Sequence, residues 1–241
     1  MSLPKPYYHD ERAGMTIFHG DCRHILPHLP KVDLVLTDPP YGVNWRSNWN
    51  GGQFDKIAGD SVIDGSWIDL IKSDTIYCFT KWNVLQKWID EINKKMPVRD
   101  VLVWDKKSHG AGNINSWAPC YELIIFASTQ SPKLKGNRPQ NVLRHWRVDA
   151  GATGISTGKL LTHPAEKPVE LFVDIIQKHD GLILDPFMGS GTTLRAAKDL
   201  GRKGIGIEIE ERYCEIAARR LSQEVFNFTV EKKVGEIDNR P

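Results

Sequence analysis

One short segment of the sequence, residues 37–42 (TDPPYG), carries groups suited to binding an amino group. It follows an apolar run that is typical of a strand buried on both faces. The Asp38 carboxylate is a hydrogen-bond acceptor, and the Pro39 carbonyl is a second one, which Pro40 holds in an extended direction. Tyr41 offers a flat ring for stacking. Ligands of open α/β sheets bind beyond the carboxyl ends of the strands, so we expect these residues to form part of a binding site.

The chemistry that this arrangement suits is reaction at an exocyclic amino group of a flat heterocycle. Such an amine is a poor nucleophile because its lone pair is delocalised into the ring. If Asp38 and the Pro39 carbonyl accept both N–H bonds, the nitrogen becomes pyramidal and its lone pair points out of the ring plane. An Asp-Pro-Pro sequence alone is an ordinary turn, but its place after a strand and its completion by Tyr-Gly make the signal specific. We therefore predict a catalytic motif formed by Asp38, Pro39, Pro40 and Tyr41.

A second segment, residues 185–193 (DPFMGSGTT), has the features of a nucleoside-binding loop. It also follows an apolar run, and Gly189 and Gly191 let a ligand approach the backbone closely. The helix predicted at 194–200 would present free N–H groups and the positive end of its dipole to a carboxylate. Glu208 lies 23 residues after the segment begins, and an acid there can bind both hydroxyls of a ribose. The third glycine of a pyrophosphate-binding fingerprint is absent, so the loop suits a nucleoside that carries an amino-acid tail.

The composition is that of one globular enzyme domain. The chain has 241 residues, of which 40% are hydrophobic and 26% charged, and its formal net charge is +2. These values exclude a disordered chain, and they require any nucleic-acid-binding charge to be local. We expect no membrane span and no secretory signal, since no uncharged apolar run has the required length. Four scattered cysteines without a Cys-x-x-Cys pair predict no metal site and a cytoplasmic location with free thiols: Cys22, Cys78, Cys120 and Cys214.

Alternating strands and helices are expected to position the two segments. Helical spacing of apolar residues occurs in 82–92 and 213–221, and Pro168 marks another helix start. The runs 98–104 and 121–128 are joined by a stretch without helical pattern, which indicates an antiparallel strand. The predicted class is an open, mostly parallel α/β sheet. Seven runs are predicted as strands, most of them apolar on both faces: 16–19, 32–37, 75–80, 98–104, 121–128, 182–184 and 204–208.

Together these segments resemble the S-adenosylmethionine-dependent DNA amino-methyltransferases, in the permuted (beta) group whose catalytic motif precedes the cofactor motif. Residues 19–22 (HGDC) resemble the family segment whose Asp meets the cofactor adenine. Residues 163–168 (HPAEKP) resemble the segment that helps hold the methionine end of the cofactor. Residues 206–208, followed by Tyr213, Ala217 and Arg220, resemble the ribose-binding strand and its helix. The resemblance implies S-adenosyl-L-methionine as cofactor, bound by Asp21, Cys22, Asp38, His163, Lys167, Pro168, Asp185, Phe187, Gly189, Ser190, Gly191, Thr192 and Glu208.

The resemblance also implies an architecture. We expect an open, mostly parallel, seven-stranded Rossmann-like methyltransferase sheet with one antiparallel strand and helices on both faces. Residues 1–241 would form a single catalytic domain, with a small target-recognition region at 106–162 and a flexible tail at 229–241. Larger relatives carry longer recognition inserts or an extra domain, so the length of the recognised DNA site stays open.

The substrate that the resemblance implies is the 6-amino group of adenine in double-stranded DNA, methylated after base flipping. An Asp at the first motif position usually goes with adenine and a Ser more often with the 4-amino group of cytosine, so Asp38 favours adenine without excluding cytosine. Methylation of RNA or of a protein amide is disfavoured, because those enzymes more often begin the motif with Asn and place it after the cofactor motif. A non-catalytic DNA-binding protein of the same fold is the alternative of another class, and a nicotinamide dehydrogenase is a distant third. A homodimer and a cognate restriction endonuclease are further partners that the resemblance allows.

Two regions are candidate DNA contacts. Residues 106–148 contain seven Lys or Arg residues and a single acid, Glu122, to which we assign no chemistry. From this region we predict phosphate contacts by Lys133, Lys135, Arg138, Arg144 and Arg147, with a solvated surface as the alternative. In the loop after the catalytic motif, Trp45 and Trp49 are predicted to wall the pocket or fill the gap left by a flipped base, with loop packing as the alternative, and Arg46 is a predicted DNA-binding residue.

Several further residues are assigned by type. Asn113, Asn115, Ser116 and Asn137 are candidate base-edge readers, among which the sequence does not choose. His163 is expected to be a hydrogen-bonding turn residue rather than a base. Three tryptophans are expected in the core: Trp82, Trp88 and Trp104.

Overall fold

A nine-stranded sheet forms the centre of the protein in the computed structural model, which describes residues 3–42, 63–107, 115, 117–131, 134–148 and 166–223. The strands are β1 Tyr8–Asp10, β2 Met15–His19, β3 Leu34–Thr37, β4 Thr75–Thr80, β5 Val98–Asp105, β6 Tyr121–Ser128, β7 Val142–Arg144, β8 Leu182–Asp185 and β9 Lys203–Glu208. The helices are α1 Cys22–Ile25, α2 Ser66–Leu70, α3 Leu85–Asn93, α4 Val169–Ile176, α5 Thr192–Asp199 and α6 Glu211–Ser222, and a 3₁₀ turn, Leu26–His28, follows α1.

The sheet is mostly parallel. Its order is β1-β2-β9-β8-β3-β4-β6-β5-β7. The five strands from β2 to β4 in this order run in one direction, and β6 is antiparallel to both β4 and β5. The antiparallel pairing predicted for 98–104 and 121–128 is therefore confirmed.

The prediction of seven strands was wrong, because the described chain has nine. The two additional strands are three-residue edge strands: β1 pairs antiparallel with β2, and β7 pairs parallel with β5. Both are only partly buried, since each has a neighbour on one side alone. Such short edge strands need no continuous apolar run, so hydrophobic periodicity does not reveal them.

Helices cover both faces of the sheet. Leu34 and Leu36 of β3 lie on one face, in an apolar cluster with side chains from α4, α5 and α6. Val35 of the same strand lies on the other face, in a cluster with side chains from α1, α2 and α3. Successive side chains of a strand point to opposite faces, so a continuous apolar run such as β3 serves two layers of helices at once.

One of the predicted core tryptophans is on the surface. Trp88 and Trp104 are 1% and 2% exposed, as expected, but Trp82 is 73% exposed. The reason is that α3 begins at Leu85, so Trp82 precedes the helix and does not share its buried face. The spacing of apolar residues extended the predicted helix one turn too far.

One edge of the sheet collects the segments that carry chemistry. Strands β2, β9, β8, β3 and β4 all end there, with Asp38 directly after β3. Strand β6 runs the opposite way, and its pairing of Leu123 with Thr80 of β4 places its first residues at the same edge. Glu122 therefore starts its strand where the parallel strands end. This carboxyl edge is where open α/β sheets bind ligands.

Within the described ranges, no helix combines the length and apolarity needed to cross a bilayer. The same ranges hold no cluster of three or more His, Cys, Asp or Glu side chains arranged to bind a metal ion. The four cysteines are free thiols, with Cys120 exposed and the others buried.

Candidate active site

A buried hydrogen bond joins the two predicted motifs. Thr37, the last residue of β3, is fully buried, and its hydroxyl donates to Asp185 Oδ1 at the end of β8, at 2.7 Å. The two strands are parallel neighbours in the sheet. Asp38 and the loop that begins at Asp185 therefore start side by side, although they are far apart in the sequence.

The Asp185 carboxylate is engaged by the protein itself. Its Oδ2 accepts a hydrogen bond from the Thr193 hydroxyl at 2.5 Å, and Oδ1 also accepts from the Phe187 N–H at 3.1 Å. Burial raises the pKa of Asp185 to about 6, although these hydrogen bonds favour the charged form. These hydrogen bonds let the Asp185 carboxylate shape the loop that follows, and its predicted contact with the cofactor stays a prediction.

The glycine-rich loop has the conformation and the space that a ligand requires. Gly189 and Gly191 have φ angles of 51° and 81°, in the left-handed region that favours glycine. A Cβ atom on Gly191 would lie 2.8 Å from the Ala217 Cβ, whereas one on Gly189 would meet no atom within 4 Å. The backbone at Gly189 is thus open for a ligand to lie against it. The first N–H groups of α5, from Thr192 onward, precede the intrahelical hydrogen bonds and are suited to a carboxylate.

Glu208 lies beside the same loop, at the end of β9. Its Oε2 accepts a hydrogen bond from the Gly189 N–H at 2.9 Å, and its Oε1 accepts from the Glu210 N–H at 2.8 Å. Burial raises the pKa of Glu208 above its ordinary value. Each carboxylate oxygen has a second lone pair, so Glu208 can accept two ribose hydroxyls while it holds the loop.

The segment after β2 reaches the same edge. The Gly20 N–H donates to the Glu208 carbonyl at 2.9 Å. Asp21 caps α1 by accepting from the Arg23 N–H at 2.9 Å, and its carboxylate also pairs with the Arg23 guanidinium at 2.5 Å. Burial raises the pKa of the Cys22 thiol to about 12, so this side chain is neutral. Both predicted cofactor residues lie next to the Glu208 strand, and Asp21 already has a cationic partner.

The Asp38 carboxylate has a partner on each oxygen. The Tyr41 hydroxyl donates to Oδ1, and the Lys167 ammonium group donates to Oδ2. Burial and the charge of Asp38 raise the pKa of Tyr41 well above its ordinary value, so its hydroxyl remains a donor. The Asp38 side chain is 28% exposed, which leaves it accessible from outside.

Lys167 lies against the catalytic motif and not against the glycine-rich loop. Its side chain is 6% exposed, and its Nζ atom is 3.4 Å from Glu122 Oε2 and 4.8 Å from the centre of the Phe79 ring. Burial alone would lower the pKa of Lys167, but the charges of Asp38 and Glu122 outweigh it and raise the pKa. We predicted a cofactor role for Lys167, but its charged group is bound to Asp38. Pro168 follows it and immediately precedes α4.

Glu166, the residue before Lys167, is bound to the cofactor side of the site. Its Oε1 lies 3.2 Å from Arg220 Nη1, which also donates to the Thr192 hydroxyl at 3.2 Å. Ser190 and Thr192 of the glycine-rich loop are both nearly buried, at 5% and 8% exposure. Two consecutive residues therefore serve the two motifs: Glu166 binds Arg220, which holds Thr192, and Lys167 binds Asp38 directly.

Phe187 completes the predicted cofactor set in the described residues. It packs edge-on against the ring of Trp67 in α2, with ring centres 5.3 Å apart. This contact fixes the loop against the helix layer on one face of the sheet. Packing against Trp67 therefore determines the position of the Phe187 ring.

Glu122 is the residue of the site that the sequence analysis missed. Its Oε1 accepts from the Lys106 ammonium group at 2.8 Å, and its Oε2 lies near Lys167. Burial would raise the pKa of Glu122, but Lys167 and Lys106 outweigh it and lower the pKa. Two signals could have identified it: Glu122 is the second residue of an otherwise apolar strand, and it is the single acid in the basic stretch 106–148.

The described members of the predicted basic DNA contacts are not all at one edge of the sheet. Lys135 pairs with Asp180 and its N–H donates to the Lys178 carbonyl, next to the start of β8, which is the edge opposite Asp38. Arg144 ends β7 beside Asp105, at the carboxyl edge. Arg138 is exposed and Arg147 is half-buried. Lys135 and Arg144 therefore lie at opposite edges of the sheet, and DNA binding by the whole set stays a prediction.

Other predicted positions lie outside the described residues. These are Trp45, Arg46, Trp49, Asn113, Ser116, Lys133, His163 and the tail 229–241, together with parts of the predicted recognition region 106–162.

Exposed aromatic side chains near the carboxyl edge were also missed. Trp82 follows β4, Tyr121 opens β6 and Trp146 follows β7, and their exposures are 73%, 44% and 60%. Asp105 at the end of β5 pairs with Tyr121 on one side and Arg144 on the other. Aromatic and cationic groups so placed are suited to bases and phosphates.

Known DNA methyltransferases are similar to this chain in sequence and in fold. The family model for N6 and N4 methyltransferases, described as "DNA methylase", matches residues 32–219. The Type II methyltransferase M.ScaI of Streptomyces caespitosus is 28% identical over 92% of this chain and 86% of its own. The DNA adenine methyltransferase YhdJ of Escherichia coli K12 is 27% identical over 93% of this chain and 90% of its own. The solved structure of the M1.HpyAVI–SAM complex is 26% identical, has a TM-score of 0.63, and is matched over 87% of this chain and 100% of that chain.

Proposed function

The chain belongs to the N6/N4 DNA methylase family, and on this basis we propose that it transfers a methyl group from S-adenosyl-L-methionine to the 6-amino group of adenine in double-stranded DNA. The observation that carries the proposal is the shared edge at which Asp38 and the glycine-rich loop begin, joined by the hydrogen bond from Thr37 to Asp185. A methyl donor and an acceptor amine must meet at such a place for direct transfer.

The glycine-rich loop and Glu208 are the proposed cofactor site. S-adenosylmethionine supplies a methyl group on a positively charged sulphur, which is electrophilic without further activation. Glu208 would accept the ribose hydroxyls, the open backbone at Gly189 would face the nucleoside, and the first N–H groups of α5 would bind the carboxylate. The fit rests on the open space at Gly189 and on the remaining lone pairs of Glu208.

Asp38 and Pro39 are the proposed amine-binding groups. The Asp38 carboxylate and the Pro39 carbonyl accept the two N–H bonds of the amine, and the Tyr41 ring stacks on the base. The nitrogen lone pair, directed out of the ring plane, would form the bond to the methyl carbon while the bond from that carbon to sulphur breaks and its electron pair returns to the sulphur. Asp38 accepts the proton that the nitrogen releases afterwards.

The target base has to leave the DNA stack to reach this site, since an amino group inside a duplex is not accessible to the donor. The exposed rings of Trp82, Tyr121 and Trp146 lie around the carboxyl edge and are available to bases or to the gap in the stack. Arg144 beside them is available to the backbone. A homodimer and a cognate restriction endonuclease are further proposed partners, the latter in line with the Type II name of M.ScaI.

The family name covers both N6 and N4 methylation, so membership alone does not choose the base. The name of YhdJ and the Asp at position 38 favour adenine. The test is transfer of labelled methyl groups to DNA, RNA and protein in parallel, followed by digestion and mass spectrometry of the nucleosides. We expect N6-methyladenine in DNA, lost in Asp38→Ala and retained in a surface control, Asp69→Asn. Label in N4-methylcytosine would overturn the choice of adenine, and label only in RNA or protein would overturn the proposal.

A further inference from the structure

A group of buried charges lies behind Asp38, and methyl transfer as described leaves it unexplained. The side chains of Lys167, Glu122 and Lys106 are 6%, 16% and 18% exposed. With Asp38 they make two carboxylates and two ammonium groups, whose charges balance. Apolar side chains of similar volume would serve stability as well or better, so buried charges of this kind call for another explanation.

One oxygen in this group is not hydrogen-bonded. Glu122 Oε1 is bound by Lys106, but Oε2 is buried and no donor among the described residues makes a hydrogen bond to it. The Lys167 ammonium group lies 3.4 Å away, at ion-pair distance but without hydrogen-bond geometry. Leaving a buried carboxylate oxygen unsatisfied is costly, so Oε2 is an acceptor ready to bind a cation that moves toward it.

The bonds that Asp38 makes conflict with the reaction. Both of its oxygens have donors, Tyr41 on Oδ1 and Lys167 on Oδ2. A neutral amine does not compete well with an ammonium group for a carboxylate oxygen. A cation on Asp38 would also oppose the positive charge that develops on the nitrogen as it is methylated.

We propose that Lys167 is a positioning residue with two alternative acceptors: it holds Asp38 while the base pocket is empty, and it transfers to Glu122 Oε2 when the target amine binds Asp38. This inference rests on the proposed function. Glu122 is then the second acceptor, and its place at the start of the reversed strand β6 brings it within reach of a lysine that precedes α4. Lys106 keeps Glu122 charged but occupies only one of its oxygens.

The groups that face this pair define its pH behaviour. Lys167 faces Asp38, Glu122 and the Phe79 ring, and Glu122 also faces Lys106 and Lys81. The Tyr41 hydroxyl, the buried Cys78 thiol and the Asp185 carboxyl also face Asp38. Two carboxylates raise the pKa of Lys167 against the effect of burial. Removing the charge of Glu122 leaves Asp38 as the single carboxylate that faces the lysine, so the pKa of Lys167 falls.

The test is the Glu122→Gln variant, which keeps the shape of the side chain and removes its charge. We expect kcat for DNA methylation at pH 7.5 to fall about 10- to 100-fold, the loss expected for one charge-assisted hydrogen bond. The Kd for S-adenosylmethionine and the KM for DNA should change less than about two-fold, because neither ligand is bound by Glu122. Glu215→Gln, a change of the same type at an exposed position of α6, is the matched control and should leave all three values unchanged.

The pH profile separates the proposed role from a structural one. As the pH rises above 7.5, kcat of Glu122→Gln should rise toward the wild-type value, because the lowered pKa of Lys167 lets it lose its proton and release Asp38 at a lower pH than in wild type. Wild type should show no such rise. Equal loss of kcat at every pH, parallel weakening of cofactor binding, or unchanged kcat would each overturn the inference.

A second variant protects the test against misfolding. If Glu122→Gln is unstable in thermal unfolding, the Glu122→Asp variant replaces it. Its carboxylate keeps the negative charge on a side chain shorter by one methylene group, and we expect its kcat to lie below the wild-type value but above zero. Wild-type activity in Glu122→Asp together with an unstable Glu122→Gln would contradict the inference, since charge alone would then suffice. Absence of methyl transfer by the wild-type protein would instead contradict the proposed function.

Discussion

The ionisation of Asp185 is expected to lower the stability of the fold, by an amount that the structure allows us to estimate. Asp185 is 3% exposed, and burial raises its pKa to about 6 from an ordinary value of 3.8, against the hydrogen bonds from Thr193 and Thr37. The shift is about 2 pKa units, which corresponds to about 3 kcal/mol at 1.36 kcal/mol per unit.

The sign follows from which state binds the proton more tightly. Below pH 4 Asp185 is protonated in both the folded and the unfolded protein, and it contributes no penalty. Between about pH 4 and pH 6 the unfolded chain loses this proton first, so the free energy of unfolding falls as the pH rises. Above about pH 6 the full cost of burying the carboxylate is present.

The Asp185→Asn variant removes this ionisation. Relative to wild type, its free energy of unfolding should rise by about 3 kcal/mol between pH 3 and pH 7, whatever constant offset the amide introduces. Urea unfolding followed by tryptophan fluorescence at a series of pH values measures this difference. Asp69→Asn, which removes a charge from an exposed position of α2, is the control for net charge. A difference between Asp185→Asn and wild type that is constant across this pH range would refute the reasoning.

Three further outcomes are expected from the geometry of the site. Asp38→Ala should lower methyl transfer about 100-fold or more while calorimetry shows nearly unchanged cofactor binding; full activity would remove Asp38 from the chemistry. Glu208→Ala should raise the Kd for S-adenosylmethionine about 10-fold or more, through loss of hydrogen bonds to a charged acceptor, and an unchanged Kd would contradict its role. Gly191→Ala should destabilise the protein by about 2–4 kcal/mol, since its Cβ would lie 2.8 Å from the Ala217 Cβ on left-handed backbone, whereas Gly189→Ala should cost about 1–2 kcal/mol because nothing lies within 4 Å. Urea unfolding compares the two, and equal costs would show that backbone strain alone matters.

The central strands could be predicted from the sequence because their burial leaves a strong pattern. Runs such as 32–37 and 121–128 are apolar on both faces, and only a strand covered by helices on both sides explains that pattern. The edge strands β1 and β7 have no such pattern, and Trp82 fits a helical spacing that the chain does not continue into a helix. Local periodicity reports burial, and it carries little information where an element is short or half exposed.

The loops that form the site could be predicted from the sequence, but the ion-pair partners of its charged side chains could not. Strand ends and glycine positions locate Asp38, the loop 185–193 and Glu208 at one edge, because topology follows from the order of elements. The partner of Lys167 depends on the direction of β6, which brings Glu122 to that edge from a distant part of the sequence. The same holds for Lys135, whose neighbours are decided by how its segment packs against the residues after α4. The type of a residue determines which groups its side chain can bind, and the tertiary fold determines which of those groups lie close enough to be bound.

Because β6 runs opposite to its neighbours β4 and β5, the register of its pairing decides whether Glu122 reaches the active site. A slip of a single residue between β5 and β6 would turn the Glu122 side chain to the other face of the sheet and bring Tyr121 or Leu123 in its place. Lys106 and Lys167 would then lose the carboxylate that they share, so such an error would cost turnover and stability together. Engineered changes to the connection between β5 and β6 should therefore be judged by activity and by melting temperature.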